Sequence, residues 1–380
     1  MLKLAALPRL FVGLFFAQSA FSLYSASLPV YFDRLGFDPA LIGLLIGSAG
    51  VAELVGALGV GPGIDRFGGR IVLLLGLAAY LLASIGYTLT ALLPVLFGLR
   101  LLQGLGLAAV MPGAYSFVPH LVRPHRETLA FASLGAANSL AGAVFPVVGL
   151  LLLDGSPDLL FLAASGAAVL GLLVVRGAPT APVGGRALGL TFRAAWLASL
   201  LVTMLALIQW GVINAFMPLQ ATRAGSNPAL LFTADAISVL SVRLPAGWIA
   251  DRYGPLRLAL VGVISMSLSP AVLLLPMSDA VLIVAGMLNG VGAGLSLPPL
   301  MAQLSQRSDN ATRGTALALY AAAFAIGMIG GSSVGGLLYA GLGYAGLLRA
   351  GAVLCSLGVP ILLADAFAQS RISSRRAPRQ

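Results

Sequence analysis

The sequence predicts an all-α membrane protein with twelve transmembrane helices in two pseudo-symmetric six-helix halves. Three observations lead to this fold class. The chain is 59% apolar and only 9% charged, its basic residues fall in alternate loops, and a short charged motif occurs twice. A chain of 380 residues with so few charges lacks the polar surface of a soluble domain. The positive net charge is therefore expected to set topology, and nucleic-acid binding is not expected.

Apolar windows of roughly 20 residues or more define the expected spans. Their approximate limits are 8–32, 39–63, 71–90, 92–118, 127–153, 157–175, 194–217, 228–250, 256–276, 280–304, 313–340 and 345–366. With both termini in the cytoplasm, 17 of the 22 Lys and Arg lie on that side, 2 lie outside and 3 lie within spans. Acidic residues divide evenly between the two sides, so the asymmetry belongs to Arg and Lys, as the positive-inside rule requires. We expect a multi-pass protein of the cytoplasmic (inner) membrane with both termini cytoplasmic.

The charged motif marks an internal duplication. The stretch from Gly61 to Arg70 returns as Gly247 to Arg257, with Asp65 and Asp251 lying 186 positions apart. The same offset places Gly104 on Gly290, Gly106 on Gly292, Pro112 on Pro298 and Gly149 on Gly335. The predicted divisions are an N-terminal six-helix half at 1–176, a cytoplasmic linker at 177–193, a C-terminal six-helix half at 194–366, and a basic cytoplasmic tail at 367–380. The tail is rich in Ser and Arg and is expected to be disordered.

Several classes of function are not expected from the residues present. Cys355 is the single cysteine, so neither an internal disulfide nor a cysteine-based metal cluster is possible within the chain. His120 and His125 have no metal-ligand spacing and are interpreted as loop residues, so neither a metal site nor an enzyme is expected. No phosphate-binding Gly-Lys-Ser/Thr loop occurs, which argues against ATP drive and leaves no expected cofactor. The apolar run that follows Arg9 is too long for a signal peptide and is interpreted as the retained first span.

The repeated motif resembles the signature loop of the major facilitator superfamily. The first copy contains Gly61, Asp65, Arg66, Gly68 and Arg70, and the second contains Gly247, Asp251, Arg252, Gly254 and Arg257. The run Arg100-x2-Gln103-Gly104-x-Gly106 in the fourth span is similar to the superfamily's span-4 motif. The resemblance covers essentially the whole chain and is to the twelve-span bacterial type that includes the sugar and drug efflux permeases. It implies that both loops act as a cytoplasmic latch; the alternative is that their charges only fix topology.

The fifth span departs from the motif of the superfamily's drug exporters. Pro146 and Gly149 match that motif, whereas Phe145 and Leu150 stand where glycines are usual. This departure weakens the case for proton-driven drug export.

Four of the charged residues predicted within spans are candidates for function, because an ionisable group there is costly and is usually kept for function. Glu53 precedes Asp65 by twelve residues, which places it ~18 Å from the cytoplasmic end of its span, near the midplane. It is the first candidate for proton coupling, and Asp235, Arg100 and Arg243 are the others. A structural alternative is mutual neutralisation of these acids and bases, and anion binding is an alternative for the two arginines.

Isolated polar residues within spans are candidates to line a central cavity. They are Gln18, Tyr24, Gln103, Gln209, Asn214 and Asn289. Each is alternatively a hydrogen bond between helices. Taken together, they describe a mostly apolar cavity suited to a small neutral or amphipathic solute.

The sequence therefore predicts a monomeric secondary transporter in the lipid bilayer that moves a small-molecule substrate by alternating access. Proton-coupled efflux leads among the possible modes. An uptake symporter or an uncoupled facilitator of the same fold is the alternative, and a non-transporting membrane sensor is the alternative from another class.

Overall fold

All regular structure in the described part of the chain is helical. The computed structural model describes residues 6–121, 127–177, 192–253, 255–308 and 313–376. Its helices are α1 Ala6–Arg34, α2 Pro39–Phe67, α3 Gly69–Leu89, α4 Leu93–Tyr115, α5 Val118–Leu121, α6 Glu127–Gly155, α7 Pro157–Arg176, α8 Leu197–Arg223, α9 Ala229–Tyr253, α10 Pro255–Val272, α11 Asp279–Gln306, α12 Arg313–Ile329, α13 Gly335–Ser356 and α14 Gly358–Arg376. A 3-10 turn, Ala194–Trp196, precedes α8, and a π-helical turn, Gly330–Val334, joins α12 to α13.

Two helices begin with the same local chemistry. The side chain of Asp38 accepts a 2.9 Å hydrogen bond from the Leu41 amide at the start of α2, and Pro39 is the first helical residue. Ser156 likewise accepts a bond from the Leu159 amide at the start of α7. These caps satisfy amide groups that have no partner within the helix, so the sequence fixes where each helix begins.

Nine helical stretches of the described residues are long and apolar enough to cross a membrane. Two further apolar helical segments, Ala229–Val242 and Leu256–Val272, are shorter. The last of the nine runs from Leu319 to Gln369 and contains a break at Gly343, where φ is +62°. The all-helical membrane fold is confirmed, while the count of twelve spans stays a prediction.

The two halves pack their helices in matching ways. A Cβ added at Gly104 on α4 would lie 2.0 Å from the carbonyl oxygen of Ala49 on α2. A Cβ added at Gly290 on α11 would lie 2.2 Å from the carbonyl oxygen of Asp235 on α9. Both members of the second pair lie 186 positions beyond those of the first. Duplicated glycines thus allow the same close helix contact in each half.

The hydrophobic cores are distributed unevenly along the molecule. The largest core combines residues of both halves, among them Phe32, Leu45, Phe161, Phe216 and Leu231. It lies at the end that carries Asp33, which the charge pattern predicts to be outside and which we call the predicted outer end. At the opposite, predicted cytoplasmic end, the described residues form three clusters, each drawn from one half alone. The halves are therefore joined at the predicted outer end and have separate cores at the other.

One interface between the halves runs along α2. A Cβ at Gly43 would lie 2.5 Å from the carbonyl oxygen of Ser332, and one at Gly47 would lie 1.9 Å from the hydroxyl of Ser333. Both serines lie in the π-helical turn after α12. Such turns interrupt regular helix hydrogen bonding and often occur at functional positions. The α2 helix thus packs closely against an irregular segment of the other half.

The structure differs from the sequence-based predictions in two places. The helix α2 continues through Gly61 and Pro62 to Phe67, so the turn of the first motif is confined to Gly68, whose φ is +82°. The tail was expected to be disordered, and this is wrong for residues 367–376, because α14 continues to Arg376. Most of the predicted linker, residues 178–191, lies outside the described residues.

Candidate transport site

Arg100 is held by the backbone of a neighbouring helix. Its side chain is 5% exposed. Nε donates to the Leu45 carbonyl at 3.1 Å, Nη2 donates to the Ile46 carbonyl at 2.7 Å, and Nη1 donates to Gln103 Oε1 at 2.8 Å. The guanidinium fork suits this set of acceptors, because its donors point in fixed directions within one plane. Arg100 therefore fastens α4 to α2 through neutral oxygen atoms.

An aromatic cluster lies beside this arginine. Tyr87 donates to Gln103 Oε1 at 3.2 Å, and its ring stacks on Phe161 with centroids 5.1 Å apart. Tyr24 donates to Ser84 Oγ at 2.7 Å and is 4% exposed. Tyr24, predicted to line a cavity, thus contacts α3 inside the first half. Tyr87 was not among the predicted site residues.

Glu53 projects from the side of α2 that faces the interior of the protein. Val51 and Val55, which are 43% and 61% exposed, mark the outer face of this helix. Each lies two positions from Glu53, about 200° around the helix axis. Glu53 is nevertheless half-buried rather than fully enclosed. Of the residues that the structure describes, none forms an ion pair or a hydrogen bond with it.

Arg100 therefore does not neutralise Glu53 in this structure, and mutual neutralisation of the buried acids and bases, which specified no pairs, stays a prediction. Tyr80 on α3 lies within electrostatic range of both side chains, and its hydroxyl is buried without a hydrogen-bond partner among the described residues. The side chain of Arg243, the other predicted basic partner, lies outside the described residues.

The second half carries a chain of three polar side chains. Gln209 Nε2 on α8 donates to Asn289 Oδ1 on α11 at 2.8 Å, and Asn289 Nδ2 donates to Asp235 Oδ1 on α9 at 2.7 Å. Gln209 and Asn289 are buried, and Asp235 is half-buried. The structure thus brings together three residues that the sequence analysis named separately.

The two polar groups are centred on equivalent positions of the repeat. Gln103 and Asn289 are 186 positions apart. The amide of Gln103 accepts from a cation, Arg100, whereas the amide of Asn289 donates to an anion, Asp235. The 186-residue offset that aligns Gly104 with Gly290 also aligns Gln103 with Asn289, so the sequence alone could have shown that the two residues are equivalent. Equivalent helix positions therefore carry an amide side chain in both halves, and this amide binds a cation in the first half and an anion in the second.

The remaining cavity candidates, Gln18 and Asn214, each donate a hydrogen bond within the protein. Gln18, which is 5% exposed, donates to Asn138 Oδ1 at 2.7 Å. Asn214 donates to the carbonyl of Trp210, one turn earlier in α8, at 3.1 Å. The Gln18 contact agrees with the alternative that the polar residues link helices, whereas the Asn214 contact stays within its own helix. Cavity lining stays a prediction.

The structure describes some of the residues of the predicted cytoplasmic latch. Arg66 is exposed and lies 5.2 Å from the ring of its neighbour Phe67. Arg70 donates to the carbonyl of Arg176 at the end of α7, and Arg257 is exposed. The side chains of Asp65, Asp251 and Arg252 and the surroundings of Gly247 lie outside the described residues, as does Gly254. Gly61 lies within α2. The latch stays a prediction.

Ion pairs at the ends of the helices were missed by the sequence analysis. Arg223 at the end of α8 pairs with Asp33 at the end of α1, which joins the two halves at the predicted outer end. Arg34 pairs with Asp154 at 2.5 Å within the first half. The sequence held a signal for these pairs. Only two basic residues, Arg34 and Arg223, were assigned to the outer side, which carries five acids that could pair with them.

A further pair closes the predicted cytoplasmic end of the second half. Arg307 Nη2 lies 2.6 Å from Asp365 Oδ2, and Gln303 Nε2 donates to the same oxygen at 3.1 Å. Arg307 also donates to the Ala195 carbonyl at 2.9 Å. This network ties the end of α11 to α14 and to the turn before α8.

Known proteins resemble this chain in sequence and in fold. The model of the Major Facilitator Superfamily matches residues 10–198 and again 199–379. A chloramphenicol resistance protein of Pseudomonas aeruginosa is 32% identical over 136 residues, which cover 36% of this chain and 32% of that protein. Multidrug resistance protein 1 of Bacillus subtilis is 25% identical over 178 residues, which cover 46% of each chain. The matches therefore span less than half the length of these relatives.

The helical arrangement is also found in a solved transporter. The crystal structure of a peptide transporter POT in complex with sulfate superposes with a TM-score of 0.81, covering 97% of this chain and 94% of that chain. Sequence identity in this comparison is 15%, so the likeness shows the fold alone.

Proposed function

Since the chain belongs to the Major Facilitator Superfamily, a family of multi-pass membrane transporters rather than enzymes, we propose that it moves a small organic solute across the cytoplasmic membrane by alternating access. We propose further that the movement is efflux coupled to protons. The predicted orientation, with both termini in the cytoplasm, is part of this proposal.

Alternating access is supported by the uneven cores. Residues of both halves share one core at the predicted outer end, and Asp33 of α1 pairs there with Arg223 of α8. The clusters at the predicted cytoplasmic end are each confined to one half. Such an arrangement suits a state closed outside and separated inside, from which rocking of the halves would expose the opposite side.

Proton coupling is supported by one observation, the unpaired carboxyl of Glu53. It faces the interior of the protein, is half-buried, and has no ion-pair or hydrogen-bond partner among the described residues. A carboxyl group in a membrane interior without a cationic partner favours its neutral form and regains its charge when water reaches it. In each cycle the carboxyl would take up one proton from one side and release it to the other side, so that one proton crosses the membrane per cycle.

The substrate class is supported by the interior chemistry and by the relatives. The donors of Arg100 are already hydrogen-bonded to two backbone carbonyls and to Gln103. Few charged groups therefore remain in the interior to bind a multiply charged solute. The names of two relatives refer to chloramphenicol and to multidrug resistance. A neutral or amphipathic compound is therefore the leading substrate, with chloramphenicol the first to test.

The test is proton flux in proteoliposomes that hold an imposed pH gradient. Chloramphenicol, lipophilic cations, sugars and amino acids are added singly, and an enclosed pH dye reports the gradient. A substrate should collapse the gradient only when the protein is present. Glu53→Gln should abolish gradient-driven transport and preserve exchange of labelled substrate, because exchange needs no net proton movement.

The control is Asp154→Asn, which removes an exposed carboxylate at the predicted outer end. It should leave driven transport unchanged. Unchanged driven transport in Glu53→Gln would refute this carboxyl as the coupling group, and substrate movement without proton flux would establish a facilitator. The direction of the substrate relative to the protons separates efflux from uptake.

A further inference from the structure

A cavity lies beside Arg223, the residue whose ion pair with Asp33 joins the two halves. It has a volume of about 400 Å³ and opens at the predicted outer end of the second half. Its walls come from the end of α8, the residues after α10, and the part of α13 beyond Gly343. This volume is within the range of pockets that hold small organic ligands.

The walls of this cavity carry both polar and apolar side chains. Arg223 and Gln220 lie on α8, while Leu274, Leu275 and Met277 supply apolar surface. The described lining residues include one cation and no acid. The combination suits a molecule that has an anionic head and an apolar body.

One group at the wall, the guanidinium of Arg223, has ionic capacity that an occupant can use. Arg223 pairs with Asp33, yet about half of its side chain remains exposed, at 49%. A partly exposed ion pair contributes little stability, so an incoming anion can replace Asp33 at modest cost.

We propose that this cavity binds a single-chain amphiphilic carboxylate. The carboxylate bonds to Arg223 in place of Asp33, and the alkyl chain lies against Leu274, Leu275 and Met277. Arginine is suited to this role because its donors match the two carboxylate oxygens. The limited volume accommodates one short chain rather than a two-chain phospholipid.

Occupation of the cavity has a consequence for the whole protein. Asp33 belongs to α1 and Arg223 to α8, so their ion pair joins the two halves. A ligand that pairs with Arg223 breaks this ion pair and favours separation of the two halves at the predicted outer end. This consequence rests on the proposed alternating access, whereas binding itself does not.

The test is equilibrium binding of radiolabelled octanoate to the purified, detergent-solubilised protein, with octanol as the uncharged competitor. Octanoate should bind saturably, and octanol should compete weakly. Arg223→Gln should weaken binding roughly tenfold or more, because a charge-assisted hydrogen bond is lost. Asp33→Asn should strengthen binding by about two- to fivefold, because Arg223 no longer has a competing carboxylate.

Two further variants keep the result interpretable. Arg34→Gln removes the other predicted outer arginine, which does not line this cavity, and should leave binding unchanged. Leu274→Trp fills the cavity at a residue that is 39% exposed, and should abolish binding without unfolding the protein. Equal competition by octanol, unchanged binding in Arg223→Gln, or weaker binding in Asp33→Asn would each overturn the proposal. None of these measurements depends on transport.

Discussion

The guanidinium of Arg100 donates to the carbonyl oxygen of Ile46 at 2.7 Å, so the buried charge of α4 is held by the backbone of α2. The same helix carries Glu53 towards the interior and packs Gly43 against the other half. Because α2 takes part in all three relationships, its position links the charge of the first half to the interface between the halves.

The bond between Arg100 and Gln103 should be energetically significant. A double-mutant cycle with Arg100→Met and Gln103→Leu should give a coupling free energy of about 1–3 kcal/mol, since both groups are buried and one is charged. Thermal unfolding in detergent measures each variant. A coupling near zero would show that the contact between these side chains contributes nothing to stability.

Arg100 also illustrates what the sequence could and could not predict. The span-4 motif and the cost of a buried charge were enough to identify it as a site residue. Its partners were not predictable, because backbone carbonyls carry no sequence signal. Which acid would meet which base was not predictable either, because helix rotation cannot be derived from one sequence.

The fold itself was largely predictable, because hydropathy, alternating basic loops and a 186-residue repeat all indicate the same architecture. The details that failed depend on tertiary contacts. The second span was predicted to end at residue 63, whereas its helix continues to Phe67, and the tail is helical to Arg376. In both places the chain continues a preceding helix beyond the predicted boundary.

The bond from Asn289 to Asp235 should depend on the acceptor oxygen of residue 235. Asp235→Asn keeps an oxygen that can accept from Asn289, so it should lower the unfolding temperature less than Asp235→Leu does. Asp235→Leu leaves the buried Asn289 amide without this acceptor and should destabilise the protein by about 1–3 kcal/mol. Equal destabilisation by both variants, measured by thermal unfolding, would show that the charge itself is required for stability.

The ion pair between Asp33 and Arg223 should bias the protein towards closure at the predicted outer end. A reporter Leu219→Cys lies in the shared core at 1% exposure, and Cys355→Ala removes the single native thiol. Asp33→Asn should raise the maleimide labelling rate of this reporter by about two- to fivefold, the range expected for a partly exposed ion pair.

The matched control for this experiment is Asp154→Asn, which breaks an ion pair at the same end but within one half. Its labelling rate should equal that of the unmodified background. Equal acceleration by both variants would indicate general loosening of the predicted outer end and would contradict a specific role for the pair between the halves.

The close approach of α2 to the π-helical turn should make Gly43 intolerant of a side chain. A Cβ there would lie 2.5 Å from the backbone oxygen of Ser332, which has no rotamer to relieve the clash. Gly43→Ala should therefore destabilise the protein by about 1–3 kcal/mol. Gly59 lies in the same helix with nothing within 4 Å of an added Cβ. Gly59→Ala should instead stabilise it by about 0.5–1 kcal/mol, because alanine favours the helix. Thermal unfolding of both variants distinguishes steric contact from helix propensity, since propensity alone would make both substitutions stabilising.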